Sequence, residues 1–136
     1  MTTDQNKELV IRFNKEFIEG GNMNTLNELL APDFINHTAP QGVSKGPDGV
    51  AYFFNNIWKA AFPDLTVEIQ DQIAEGNKVA TRKCFHATHK GDFFGVPASN
   101  KKVTIDVMDI IYLRDGKAVE HWANVDMQSL MMQITG

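Results

Sequence analysis

Asp115-Gly116 has the chemistry of a tight hairpin turn, and such a turn fixes which residues face one another on the strands it joins. Counting outward from Gly116 sets Asp109 opposite Ala123 and Ile111 opposite His121. Alternation along the first strand then puts Ile105, Val107, Asp109, Ile111 and Leu113 on one face. A lone carboxylate among aliphatic side chains is costly unless it is paired or used. A carboxyl or imidazole in an apolar pocket can take a proton from carbon beside a carbonyl and deliver one to the alkoxide that forms. Asp109 is therefore the first catalytic candidate. His121 shares the inward face of the second strand with Val119, Ala123 and Val125, diagonal to Asp109. The two form either a carboxylate–imidazole couple or a buried Asp satisfied by a packing histidine.

The preceding strand is harder to read. Ala80, Arg82, Cys84 and His86 share one face, while Val79, Thr81, Lys83, Phe85 and Ala87 share the other. Neither face is clean. Arg82 and His86 read as a polar pocket wall that binds a substrate carboxylate or enolate, or else as a solvated or dimer-facing surface. Trp58, Phe53, Phe54, Phe62, Phe93 and Phe94 default to core. A subset, Phe54, Trp58 and Phe93, is expected to line a pocket for a planar ligand. No His-x-His or helical His-x-x-x-His occurs, and His86 and His89 have opposite strand parity, so no metal is expected. Cys84 has no catalytic-cysteine context and reads as a small core filler. Gly91, Gly95 and Pro97 make no phosphate loop, because no Lys-Ser/Thr and no helix follow.

The elements that hold these residues come in two blocks. Thr2 and Gln5 fit a capping box ahead of a helix whose apolar stripe is Leu9, Val10, Phe13, Phe17 and Ile18, ending at Gly20-Gly21. Asn24 can cap a short second helix with Leu26, Leu29 and Leu30, stopped by Pro32. Residues 34–38 read as extended. Pro47 and Asp48 suit the start of a third helix with an aromatic face, which Pro63 stops. The period then changes to two. Leu65, Val67 and Ile69 begin a strand, Val79 to His89 is a second, Val103 to Leu113 a third and Ala118 to Asp126 a fourth. Asp126 suits the cap of a last helical turn from Met127 to Ile134, with a pocket role as the other reading. Met127, Met131 and Met132 make that tail adaptable, fit for a pocket mouth or a dimer contact. Helices first and long antiparallel strands after argue for an α+β fold.

The chain's 136 residues fit one domain, 1–136, and 43% hydrophobic residues suffice for a core. A net charge of −4, with Lys101-Lys102 the longest basic run, gives no footprint for nucleic acid. The single cysteine rules out an intramolecular disulfide. The polar N-terminus lacks the order of a signal peptide and no apolar run is long enough for a membrane span, so a cytoplasmic protein is expected, with no membrane partner.

Several segments resemble the SnoaL-like polyketide cyclases, within the superfamily of nuclear transport factor 2 and ketosteroid isomerase. These are Phe34-Ile35-Asn36-His37 followed by Gly46-Pro47-Asp48-Gly49-Val50, then Phe62-Pro63-Asp64-Leu65. Thr88-His89-Lys90-Gly91-Asp92-Phe93-Phe94-Gly95-Val96-Pro97 is similar to the family's long loop, and Asp115-Gly116-Lys117 with Glu120-His121-Trp122 and Asp126 to its closing hairpin. Leu130 and Gln133 match the tail. The resemblance spans nearly the whole chain in order. It implies a cone-shaped, curved, antiparallel or mixed sheet wrapped around N-terminal helices. It implies cofactor-free and metal-free acid/base chemistry, an intramolecular aldol cyclisation or a related isomerisation, on a small hydrophobic carbonyl compound. It also implies a homodimer, paired through the outer face of the sheet. It makes His37 a third catalytic candidate, at a place the family uses to line the pocket, against the plainer reading of a surface histidine. It adds Trp122 to the substrate-binding candidates, and His89 as a residue that fixes the loop. The family's catalytic Asp follows the Trp of the closing strand, where this chain has Ala123. Another group must supply that acid/base, and Asp109 faces the vacated position. The rival expectation is a non-catalytic binding or interaction protein that keeps the pocket.

Overall fold

The computed structural model describes residues 1–136. The order is α1 (Thr3–Arg12), α2 (Met23–Leu29), β1 (Leu30–Asn36), α3 (Pro47–Tyr52), α4 (Lys59–Ala61), β2 (Thr66–Glu75), β3 (Lys78–Thr88), β4 (Lys102–Arg114), β5 (Lys117–Val125) and α5 (Met127–Thr135). Two π-helical stretches are built in. Phe13–Glu19 continues α1, and Phe53–Trp58 joins α3 to α4. A helical repeat of 3.6 does not anticipate them. The wider turn carries Phe13, Asn14, Phe17 and Ile18 inward together, and such stretches recur at functional sites.

The capping box forms: the Thr2 hydroxyl accepts the Gln5 N–H, and the Gln5 side chain accepts the Thr2 N–H. The second helix is capped by Asn22 rather than Asn24, because the Asn22 Oδ1 reaches the N–H groups of Asn24 and Thr25. Leu30 leaves the helix and opens β1. Asp126 caps α5, its carboxylate accepting the Ser129 N–H at 3.0 Å, and it does not line the cavity described below.

The five strands form one mixed sheet in the order β1-β5-β4-β3-β2, with β1 parallel to β5 and the other pairs antiparallel. The hairpin register is as expected, Asp109 opposite Ala123 and Ile111 opposite His121, up to an irregularity after Tyr112. Asp115 and Gly116 both take positive φ, 50° and 79°, as a hairpin turn of this hand requires. Inward side chains of β3, β4 and β5 pack with Leu9, Val10, Phe17, Trp58 and Phe62 into one apolar core. The loop after β3 is pinned from below: the N–H groups of Lys90 and Gly91 donate to the Ala61 carbonyl, and a Cβ at Gly91 would collide with the carbonyl of Ala60. No helix is long and apolar enough to cross a membrane.

Candidate active site

The concave face of the sheet and the helical layer do not close fully. They leave a cavity of about 410 Å³, mostly apolar, within the usual range for small-molecule sites. The helical side supplies Phe13, Ile18, Val50, Phe53, Phe54 and Trp58, all but Val50 from the two π-helical stretches. The sheet supplies Phe85, Val107, Ile111, Ala118 and Val125. Only three lining residues titrate: Lys83, Asp109 and His121.

These three are bonded together. Asp109 Oδ2 accepts from Lys83 Nζ at 3.0 Å and lies 3.3 Å from His121 Nε2. Lys83 Nζ also donates to Asn14 Oδ1 at 2.6 Å, and Asn14 is anchored by donating from its own Nδ2 to the Val10 carbonyl at 2.9 Å. His121 Nδ1 lies 3.1 Å from Asn36 Oδ1. The chain of contacts runs from α1 across the sheet to β1. The Lys83 and Asp109 side chains are 3% and 2% exposed, that of His121 18%, so the imidazole is the member most open to the cavity. Asp109 Oδ1 has no hydrogen-bond partner. That atom is itself buried in the cavity wall, and an unpaired buried acceptor there marks Asp109 as a candidate functional group.

Burial pushes the Asp109 carboxyl up, but the charge of Lys83 and the hydrogen bond from His121 outweigh it and hold the group below the usual carboxylate range. Asp109 is thus an ionised carboxylate, not the neutral acid that burial alone would give.

The remaining candidates divide. Trp58 and Phe54 line the cavity. Phe93 does not. It is fully buried, packed 5.2 Å from Trp58 and 5.1 Å from Phe62 between ring centroids. The turn that carries it, closed by Asp92 Oδ2 accepting the Gly95 N–H, sends Phe93 into the core and Phe94, at φ 46°, over the cavity. Arg82 and His86 stand on the opposite, outer face. Arg82 donates to Asp71 and Gln70, and His86 meets Glu68 at 2.8 Å and Thr104 at 3.3 Å. The inner face of β3 is the one with Val79, Phe85 and Ala87, because those side chains complete the core. His37 and Trp122 are outside the cavity as well. They stack on each other at 4.3 Å, and His37 Nε2 pairs with Glu120 at 3.0 Å. Strand parity turns Trp122 outward when His121 points inward. His89 is buried and its Nδ1 holds Ser99 of the long loop. Cys84 is buried, and desolvation, with the neighbouring Asp106, pushes its thiol up and leaves it a poor nucleophile. No group of three or more His, Cys, Asp or Glu side chains lies close enough to hold a metal ion.

Sequence reasoning missed Lys83, Asn14 and Asn36. The signal for Lys83 is partial: it is the one charge on an alternation with Val79, Phe85 and Ala87, which Thr81 interrupts.

Among solved structures, the chain is similar to IdmH, described as a candidate polyketide cyclase, from Streptomyces antibioticus. Identity is 30%, the match covers 97% of this chain and 99% of that one, and the TM-score is 0.86. A candidate SnoaL-like polyketide cyclase from Jannaschia sp. CCS1 is 27% identical over 98% of this chain and 94% of its own, with a TM-score of 0.84. TsrD from Streptomyces laurentii shares the fold at 24% identity, covering 99% and 98%, with a TM-score of 0.88. The comparison with curated proteins finds no match. The model of the SnoaL-like polyketide cyclases matches residues 8–134. The chain belongs to the SnoaL-like polyketide cyclase family.

Proposed function

We propose that the protein is a cofactor-independent acid/base catalyst that closes a ring by intramolecular aldol addition, or isomerises, a hydrophobic carbonyl compound. The observation that carries this reading is the unpaired Oδ1 of Asp109, held below the usual carboxylate range in the wall of an apolar cavity, directly across from Ala123. The carboxylate removed from the closing strand is replaced by one on the neighbouring strand. Asp109 takes the proton from carbon beside the carbonyl. The carbanion attacks a second carbonyl of the same molecule, and the alkoxide takes a proton from His121. Lys83 and His121 supply the positive field that steadies the enolate between those steps. Phe54, Trp58 and Phe85 hold a planar ligand, and Phe94 covers it.

The test is to offer apolar β-ketoesters with a second carbonyl within reach and to follow ring formation by NMR. Ring closure faster than in buffer, lost in Asp109→Asn, supports the reading. No acceleration across the panel sinks it. A second reading, binding without turnover, rests on Ala123 and on the engagement of Asp109 by Lys83. It expects tight ligand binding with no chemistry in the same panel. A homodimer through the outer face of the sheet is part of the proposal. Met108 and Ile110 of β4 stand exposed there at 59% and 43%. Sedimentation as a 15.2 kDa particle at micromolar concentration would refute it.

A further inference from the structure

The donors and acceptors around His121 do not balance as a neutral ring would need. Asn36 Oδ1 accepts the backbone N–H of Thr38 at 3.2 Å, which fixes that atom as an acceptor, since a backbone N–H can only donate. His121 Nδ1 faces this acceptor, and Nε2 faces the Asp109 carboxylate. The contacts are complete only when both ring nitrogens carry hydrogen. Turning the Asn36 amide to suit a neutral ring would leave the Thr38 N–H without its acceptor. Lys83 has a similar surplus: three N–H donors meet two acceptors, Asn14 Oδ1 and Asp109 Oδ2.

With hydrogen on both ring nitrogens of His121, donors outnumber acceptors around Asp109 Oδ2, and no other lining side chain is a carboxylate. Spare donors in an apolar cavity are costly, and an anionic ligand atom satisfies them. Resting on the pocket reading above, we propose that this cavity selects apolar ligands bearing one acidic oxygen and binds them as the oxyanion, facing Lys83 and His121. The class comprises enols of β-dicarbonyls, phenols and aryl carboxylic acids. An uncharged ketone or ether of the same shape is disfavoured.

The probes are para-nitrophenol, its neutral ether para-nitroanisole, and naphthoate. Absorbance reports the phenolate directly. The expected result is a bound phenolate band at a pH where the free probe is colourless, and affinity about tenfold or more above that of the ether. His121→Gln, and His121→Asn if the first folds poorly, should bring the two affinities together. Naphthoate binding more tightly than the phenol also supports the oxyanion and identifies carboxylates as the preferred source. Equal affinity for phenol and ether, or a bound phenol without the phenolate band, overturns the inference while leaving the apolar pocket standing. No binding of any probe contradicts both.

Discussion

The two faces of β3 each hold a cation–carboxylate pair, in opposite circumstances. On the inner face, Lys83 and Asp109 meet at 3.0 Å with both side chains almost wholly buried. On the outer face, Arg82 and Asp71 meet at 2.5 Å with side chains 51% and 61% exposed. Arg82 and Lys83 are neighbours in sequence, and pleating alone separates them. The outer pair is screened by water and held loosely, so its net worth is small. The inner pair is far from water, so removing one partner strands the other's charge. A salt bridge on an exposed face decorates a strand. In an apolar cavity it holds two charges away from water at a cost.

The contrast can be broken at several points. Asp109→Asn should slow turnover by about 10²–10⁴-fold, the usual worth of a positioned acid/base, measured as kcat on any substrate found. Lys83→Met leaves Asp109 buried with only His121 beside it. It should lower unfolding stability by about 3–5 kcal/mol in urea titration, and Lys83→Met with Asp109→Leu should recover most of that loss. Arg82→Ala should change stability by about 0.2–1 kcal/mol at most. If Arg82→Ala costs as much as Lys83→Met, the distinction between the faces fails.

The smallest effect is in the pH profile. The folded Asp109 carboxyl lies below its ordinary value of 3.8. Its contribution to stability is therefore present above that value and lost as pH falls through the lower folded one. Acid unfolding should show this component in the wild type and lack it in the Lys83→Met, Asp109→Leu double variant.

The same contrast explains what could be read without coordinates. The two-residue turn at Asp115-Gly116 ties β4 to β5, so Asp109 and His121 followed from counting. No such turn ties β3 to β4. The loop between them runs from His89 to Lys101, and neither the face nor the register of β3 follows from it. Arg82 and His86 were chosen over Lys83 for that reason. Thr81 and Lys83, looking polar, disguised the inner face, although Val79, Phe85 and Ala87 marked it. Asn36 reaches His121 only because β1 returns parallel beside β5, a pairing remote in sequence. Asn14 depends on a π-helical turn that a 3.6-residue repeat hides. Phe93 stood among the aromatics expected to line the pocket; its neighbour Phe94, at φ 46°, lines it instead.

The central claim is that Asp109 removes a proton from carbon inside the cavity. Deuterium uptake beside the carbonyl of β-tetralone in D₂O, followed by proton NMR, tests this without the natural substrate. Uptake faster than in buffer is expected for the wild type and for Asp71→Asn, and the buffer rate for Asp109→Asn. A folded Asp109→Asn variant that exchanges as fast as the wild type would contradict it.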